Sequence, residues 1–183
     1  MTILETERLI LRPWGEADAE SLYEYAKDPL VGPAAGWVPH TDIEHSLHII
    51  QDVLSYDESY AVTLKDEGKA IGSIGLTIGG ENNISMGVHE ANIGFWIGVP
   101  YWGQGLIPEA TRELMRHAFR DLAITVLWSG YIDGNENSKR VQEKCGFHFH
   151  HSKYDRYWPP TQEIKTERIT CIRKEEWEKL WHP

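Results

Sequence analysis

The chain has 183 residues and the composition of an ordinary globular domain, 41% hydrophobic and 25% charged. Its formal net charge of −10 excludes direct nucleic-acid binding as an expected role, and no apolar run approaches the roughly 18 residues of a membrane span. One domain over residues 1–183 is expected, with ample chain for one core. The opening MTILETERL lacks a basic region followed by an apolar stretch and is not read as a signal peptide. Cys145 and Cys171 are expected to be free thiols in a cytoplasmic protein.

Arg8 to Arg12 alternate apolar and charged residues, the pattern of a half-buried strand. Glu16 to Lys27 set Ala19, Leu22, Tyr23 and Ala26 on one stripe and read as a helix. Pro29 to His40 is rich in Gly and Pro and reads as a loop. Asp42 to Ser55 is a second helix, capped by Thr41 or Asp42, with Ile43, Leu47, Ile50 and Leu54 facing in. Tyr60 to Leu64 and Ala70 to Ile78 form a hairpin around Asp66-Glu67-Gly68, and Gly79 to His89 is a loop. A strand from Ile93 to Val99, a helix from Gly105 to Leu122, a strand from Val126 to Ile132 and a helix from Glu136 to Cys145 come next. Two strands, Phe147 to Tyr157 and Gln162 to Ile172, meet around Pro159-Pro160, and Glu175 to Trp181 add a helical turn. Hairpins mixed with two crossover helices imply a mixed sheet in an α/β domain.

Two stretches carry chemistry. In the first, the apolar strand ends at Pro100 and passes through Gly103-Gln104-Gly105 into an amphipathic helix. Glycines at such a turn let backbone N–H groups approach a phosphate, and the helix dipole favours negative charge there. The spacing is neither a dinucleotide fingerprint, since Pro108 stands at the third glycine position, nor a P-loop. In the second, Asn135-x-x-Ser138 opens a helix that Gly146 stops before Phe147. Asn and Ser are good helix caps and also polar arms for a ligand.

Together the two stretches resemble the acetyl-CoA site of the GNAT superfamily of N-acetyltransferases. Trp102 to Ile107 match that family's pyrophosphate loop, [RQ]-x-x-G-x-[GA], and Asn135 to Phe147 match its N-x-x-[SA] signature followed by a helix and G-F. The opening ETERLILRPW and the segment Gly36-Trp37-Val38-Pro39-His40 resemble the branch of ribosomal-protein N-terminal alanine and serine acetyltransferases. The likeness covers nearly the whole chain. Trp102 stands where many members carry Arg or Gln, Ile107 where Gly or Ala is usual, and Gln142 where many members have a Tyr that protonates the leaving thiolate.

The resemblance implies a mixed, mostly antiparallel α/β sheet of six to seven strands flanked by about four helices, with a V-shaped split between the central strands. It implies that pantetheine pairs with the backbone of Trp96, Ile97 and Val99, and that the pyrophosphate sits on Gly103, Gln104, Gly105, Leu106 and Ile107. Asn135 and Ser138 would hold the pantetheine arm, with Lys139 and Arg140 as compensating cations. The Ile97 N–H would polarise the thioester carbonyl. The implied reaction is direct attack by a primary amine on acetyl-CoA. A protein N-terminal amine, ribosomal or other, is the expected acceptor; a small amine or aminoglycoside is the alternative, and a catalytically silent acyl-CoA-binding module the second.

An α-amine has a pKa of about 7.7–8.0 and needs only modest help to lose its proton. His89, Glu90 and Asn92, at the entrance of the strand, are candidates to accept it, and Ser138 or Tyr131 to relay a proton to the thiolate. Trp37 and His40 line the acceptor pocket or pin their loop. Alternation puts His148 and His150 on one face, but no second pair has metal-ligand spacing, so no metal is expected. Trp158, Trp177 and Trp181 read as core or interface anchors, and exposed Trp near the C-terminus points to a homodimer.

Overall fold

The structure, a computed structural model, describes residues 2–79 and 87–181; residues 80–86 of the expected 79–89 loop lie outside the described residues. Among the described residues, eight strands and six α-helices follow in the order β1 (Leu4–Glu5), β2 (Leu9–Pro13), α1 (Ala19–Ala26), α2 (Gly32–Ala35), α3 (Ile43–Asp52), β3 (Ser59–Leu64), β4 (Ala70–Ile78), β5 (Glu90–Ile97), α4 (Leu106–Arg120), β6 (Val126–Ile132), α5 (Glu136–Lys144), β7 (His148–Trp158), β8 (Glu163–Arg173) and α6 (Lys174–Trp181). Single 3-10 turns occupy Glu16–Asp18 and Val99–Tyr101. The expected six to seven strands and about four helices are therefore too few. β1 has two residues, too short to show a period, and α2 is one turn inside a Gly/Pro-rich stretch, with Pro in its first turn.

The strands form one sheet in the order β1-β2-β3-β4-β5-β6-β8-β7. The pairs β1–β2, β2–β3, β3–β4, β6–β8 and β7–β8 are antiparallel, and β5–β6 is parallel. The parallel ladder holds Glu90, Ala91 and Asn92 against Val126, Leu127 and Trp128. The Ser129 hydroxyl, donating to the Ile93 carbonyl at 3.0 Å, closes its end.

By packing, the chain divides into two compact units. The first takes residues 1–75, 95–110 and 159–161. Here Ala19, Leu22, Ala26 and Ile50 are buried together, with Trp14, Trp37, Leu47, Leu54 and Trp96 against them. Arg12 forks onto Asp18 with two bonds of 2.7 Å, and the Asp42 carboxylate caps α3 by accepting the His45 N–H at 2.7 Å. Ile43, expected inward, is instead exposed, because Ser46 and Ile50 form the buried stripe of α3. Gly72 of β4 permits a close approach of β5: a Cβ there would stand 2.4 Å from the Trp96 carbonyl oxygen.

The second unit takes residues 76–94, 111–158 and 162–183, and buries Leu114, Met115, Phe119, Ile124, Leu127 and Ile172. Trp177 is buried against Phe119, ring centroids 5.3 Å apart, while Trp181 is partly exposed beneath the Arg112 guanidinium. Of the tryptophans that pointed to a homodimer, Trp177 thus belongs to its own chain's core. Cys145 and Cys171 are both buried and unbridged. No helix among the described residues is long and apolar enough to cross a membrane.

Candidate active site

In the first unit, β5 runs out through Gly98 and the 3-10 turn into Trp102, Gly103, Gln104 and Gly105, and α4 starts at Leu106. Gly103 and Gly105 both have φ of 76°, the left-handed region that side chains avoid. A Cβ at Gly103 would meet nothing within 4 Å. Among the described residues the backbone N–H groups of Gly103, Gln104, Gly105, Leu106 and Ile107 have no acceptor; Glu109 is the next to bond, to the Gly105 carbonyl at 3.2 Å. Leu106 and Ile107 are buried by their side chains, so each contributes to the turn through its backbone alone. The β-branched Ile107, a departure from the family pattern, therefore fills core and does not crowd the turn.

Trp102 has a structural use. Its indole N–H donates to the Ile97 carbonyl at 2.9 Å and ties the turn back to the end of β5. Gln104 donates from Nε2 to the Pro100 carbonyl at 2.9 Å, and its own carbonyl accepts from Arg8 Nη1 at 3.0 Å. Arg8 also grips Glu109, with Nε and Nη2 at 2.7 and 2.6 Å from Oε2, while its backbone N–H and the Thr6 hydroxyl donate to Oε1 at 2.9 and 2.6 Å. Burial works against the Glu109 carboxylate, but the Thr6 hydroxyl and the Arg8 donors outweigh it and hold the carboxyl below its ordinary range. Sequence reasoning missed Thr6, Arg8 and Glu109.

Trp37 packs edge-on against Trp96, centroids 5.8 Å apart, and against His40 at 5.2 Å. His40 is 8% exposed, its Nδ1 lies 2.8 Å from the Ser46 hydroxyl, and its ring lies 4.6 Å from that of His45. Burial, and then the neighbouring His45, push its pKa down to about 4, so the ring is neutral near pH 7. The Trp37–His40 loop is thus pinned on α3.

In the second unit, Asn135 caps α5: its Oδ1 accepts the Ser138 N–H at 3.1 Å. Gln142 is 1% exposed and fully engaged. Its Nε2 donates to the Gly130 carbonyl and to the Ser138 hydroxyl oxygen, each at 3.2 Å, and its Oε1 accepts from Thr170 at 2.6 Å. The Gly130 carbonyl can only accept, which fixes the amide orientation and makes the Ser138 oxygen the acceptor. Lys139 lies 3.8 Å from Glu136, and Arg140 is exposed. Tyr131, Lys139, Gln142, Glu143, Arg168 and Thr170 line a groove of about 440 Å³. Burial leads the influences that raise the Tyr131 pKa, so the phenol stays protonated near neutrality.

Glu90, at the start of β5, accepts the Trp128 indole N–H at 2.8 Å, and the Trp128 ring meets His150 edge-on at 4.9 Å. His89 is exposed and contributes its carbonyl, which accepts the Thr125 N–H at 2.8 Å. Asn92 is half-buried with its Oδ1 unmet. A bulge between Phe149 and His151 interrupts the alternation that related His148 to His150. His148 reaches Cys171 at 3.5 Å, and His150 and His151 meet at 2.8 Å. Among the described residues no three His, Cys, Asp or Glu side chains are placed to hold a metal ion.

A family model described as an acetyltransferase (GNAT) domain matches residues 8–148. The uncharacterized N-acetyltransferase p20 of Bacillus licheniformis is 31% identical over 152 residues, which cover 80% of this chain and 83% of that protein. A GNAT-family acetyltransferase from Bacillus anthracis superposes with a TM-score of 0.81 at 22% identity, over 95% of this chain and 99% of that one. The ribosomal-protein-S5-alanine acetyltransferase of Vibrio fischeri superposes with a TM-score of 0.74 at 19% identity, over 97% of this chain and 99% of that one. With the family match running from Arg8 through the glycine turn and Asn135 to His148, the chain belongs to the GNAT acetyltransferases and is an N-acetyltransferase.

Proposed function

We propose that the enzyme takes its acetyl group from acetyl-CoA and delivers it to a primary amine, in the first place the α-amine of a protein N-terminus. The observation that carries the coenzyme reading is the row of unmet backbone N–H groups from Gly103 to Ile107, beside two glycines in the left-handed region. Such a turn at the start of a long helix fits a pyrophosphate by donor geometry and by dipole. Acetyl-CoA supplies the acetyl group as a thioester already activated towards an amine. The backbone of Trp96, Ile97 and Val99 is the proposed rail for the pantetheine amides, in the manner of an added strand.

Ser138 and Tyr131 are the proposed donors to the thiolate. The Ser138 oxygen accepts from Gln142, which leaves its own O–H to donate elsewhere, and Tyr131 keeps its phenolic proton. Glu90, whose carboxylate has lone pairs beyond the one that Trp128 takes, and the exposed His89 are, with Asn92, the proposed groups to order a water that accepts the amine proton. A water held near Asn92 is enough for an α-amine, whose own pKa of about 7.7–8.0 leaves part of it neutral at pH 7. The acceptor rests on the resemblance in ETERLILRPW and Gly36 to His40 and on fold-level likeness to a ribosomal-protein alanine acetyltransferase.

Melting curves with acetyl-CoA, ATP or NAD test the coenzyme. A ligand selective for the folded state stabilises it by RT ln(1 + [L]/Kd), about 2.7 kcal/mol at a hundredfold excess over Kd. Acetyl-CoA alone should raise the melting temperature. Thiol release is then measured with Ala- and Ser-initiated peptides against an aminoglycoside. Equal stabilisation by ATP would overturn the coenzyme assignment, and turnover with the aminoglycoside only would overturn the acceptor.

A further inference from the structure

The glycine turn begins with a tryptophan, and the Trp102 indole is committed to the Ile97 carbonyl. The chain is acidic overall, with a net charge of −10, and the first turn of α4 carries a carboxylate, Glu109. An anion on this turn gains from a nearby cation, and residues 102–107 contain none. Arg8 is that cation: it lies 96 residues before Gln104 in sequence, yet its Nη1 is 3.0 Å from the Gln104 carbonyl oxygen.

We propose that Arg8 is a phosphate-binding residue of this turn, held in place by Glu109. The proposal rests on the reading of residues 103–107 as the pyrophosphate site. A guanidinium carries five N–H donors in a fixed fork. Three are engaged, Nε and Nη2 by Glu109 and Nη1 by Gln104, and the side chain is still 45% exposed. The second N–H of each terminal nitrogen is left for a ligand, with geometry suited to phosphate oxygens. Nη2 would lie 3.7 Å from a Cβ placed on Gly105, so the group stands at the glycine itself. Glu109 loses its repulsion for an anion by pairing with Arg8, and the Thr6 hydroxyl helps to fix it. Glu109 acts through Arg8 and is a positioning residue.

The test is calorimetric titration of the whole protein with coenzyme A, which needs no acceptor. Arg8→Gln keeps the backbone N–H bond to Glu109 and should weaken binding tenfold or more, with the melting temperature showing that the variant is folded. Arg8→Lys keeps a point charge without the fork and should fall between. The double variant Arg8→Gln/Glu109→Gln separates two roles. If Arg8 contacts phosphate, the double variant stays weak; if it merely cancels Glu109, affinity returns to the wild-type value and the proposal fails. Wild-type affinity in Arg8→Gln, or in Arg8→Lys should Arg8→Gln not fold, would also overturn it. A wild-type protein that binds no coenzyme A would instead remove the reading of the turn, and this inference with it.

Discussion

Gly105 is the position at which a side chain would bear most directly on the glycine turn. An Asp there would adopt a strained φ and set a carboxylate among the unmet N–H groups, so Gly105→Asp should weaken acetyl-CoA binding by more than tenfold in calorimetry. Equal affinity would show that the turn does not hold the pyrophosphate. His40 makes a separate prediction about stability. Its pKa falls from 6.5 in the unfolded chain to about 4 in the fold, so between those values the unfolded chain binds more protons. Its contribution is complete above pH 6.5 and is lost as the pH drops towards 4, up to about 3 kcal/mol at 1.36 kcal/mol per unit. Melting temperatures from pH 7 to 4.5 should fall more steeply for the wild type than for His40→Gln. The glycines and the Asn135 cap were legible in the sequence because a turn and a cap are local. The Arg8–Glu109 pair was not, since its partners are 101 residues apart and nothing periodic links them.

One side chain of α5, Gln142, bonds to both β6 and β8. Gln142→Leu would take the Gln142 donor from the Gly130 carbonyl and leave the Thr170 hydroxyl only its longer 3.4 Å bond to the Ser129 carbonyl, and a buried polar group left unmet costs about 1–3 kcal/mol. Chemical denaturation should show a loss of that size, and a loss below about 0.5 kcal/mol would mean that the two groups find other partners. The sequence showed a departure at Gln142 without showing its use, because its two acceptors and one donor come from three separate elements. The long elements were readable: α4, expected over Gly105 to Leu122, spans Leu106–Arg120, and β6 spans Val126–Ile132 as expected. Their apolar periods are sustained over several turns or pleats. β1 and α2 are too short for any period, and β5 begins at Glu90, before its apolar run, because pairing with β6 extends it. The order β6-β8-β7 is decided by non-local pairing, which a single sequence does not display.

The net charge of −10 sets a field that favours cationic acceptors. Such attraction is screened over about 8 Å at physiological ionic strength. KM for a Lys-rich acceptor peptide with a free N-terminus should therefore rise several-fold from low to high salt, while KM for a neutral peptide stays nearly level. Parallel curves would show that the acidic surface serves solubility alone. The tie from Thr6 and Arg8 to Glu109 also bears on the order in which the chain acquires its function. The turn at 103–107 is local, but its fastening closes a loop of about a hundred residues, and closure over such a span carries an entropic cost that local turns do not. If the turn holds the coenzyme as proposed, refolding should restore helix and strand signals first and coenzyme A binding after them, and stopped-flow circular dichroism run beside a coenzyme-binding assay checks the order.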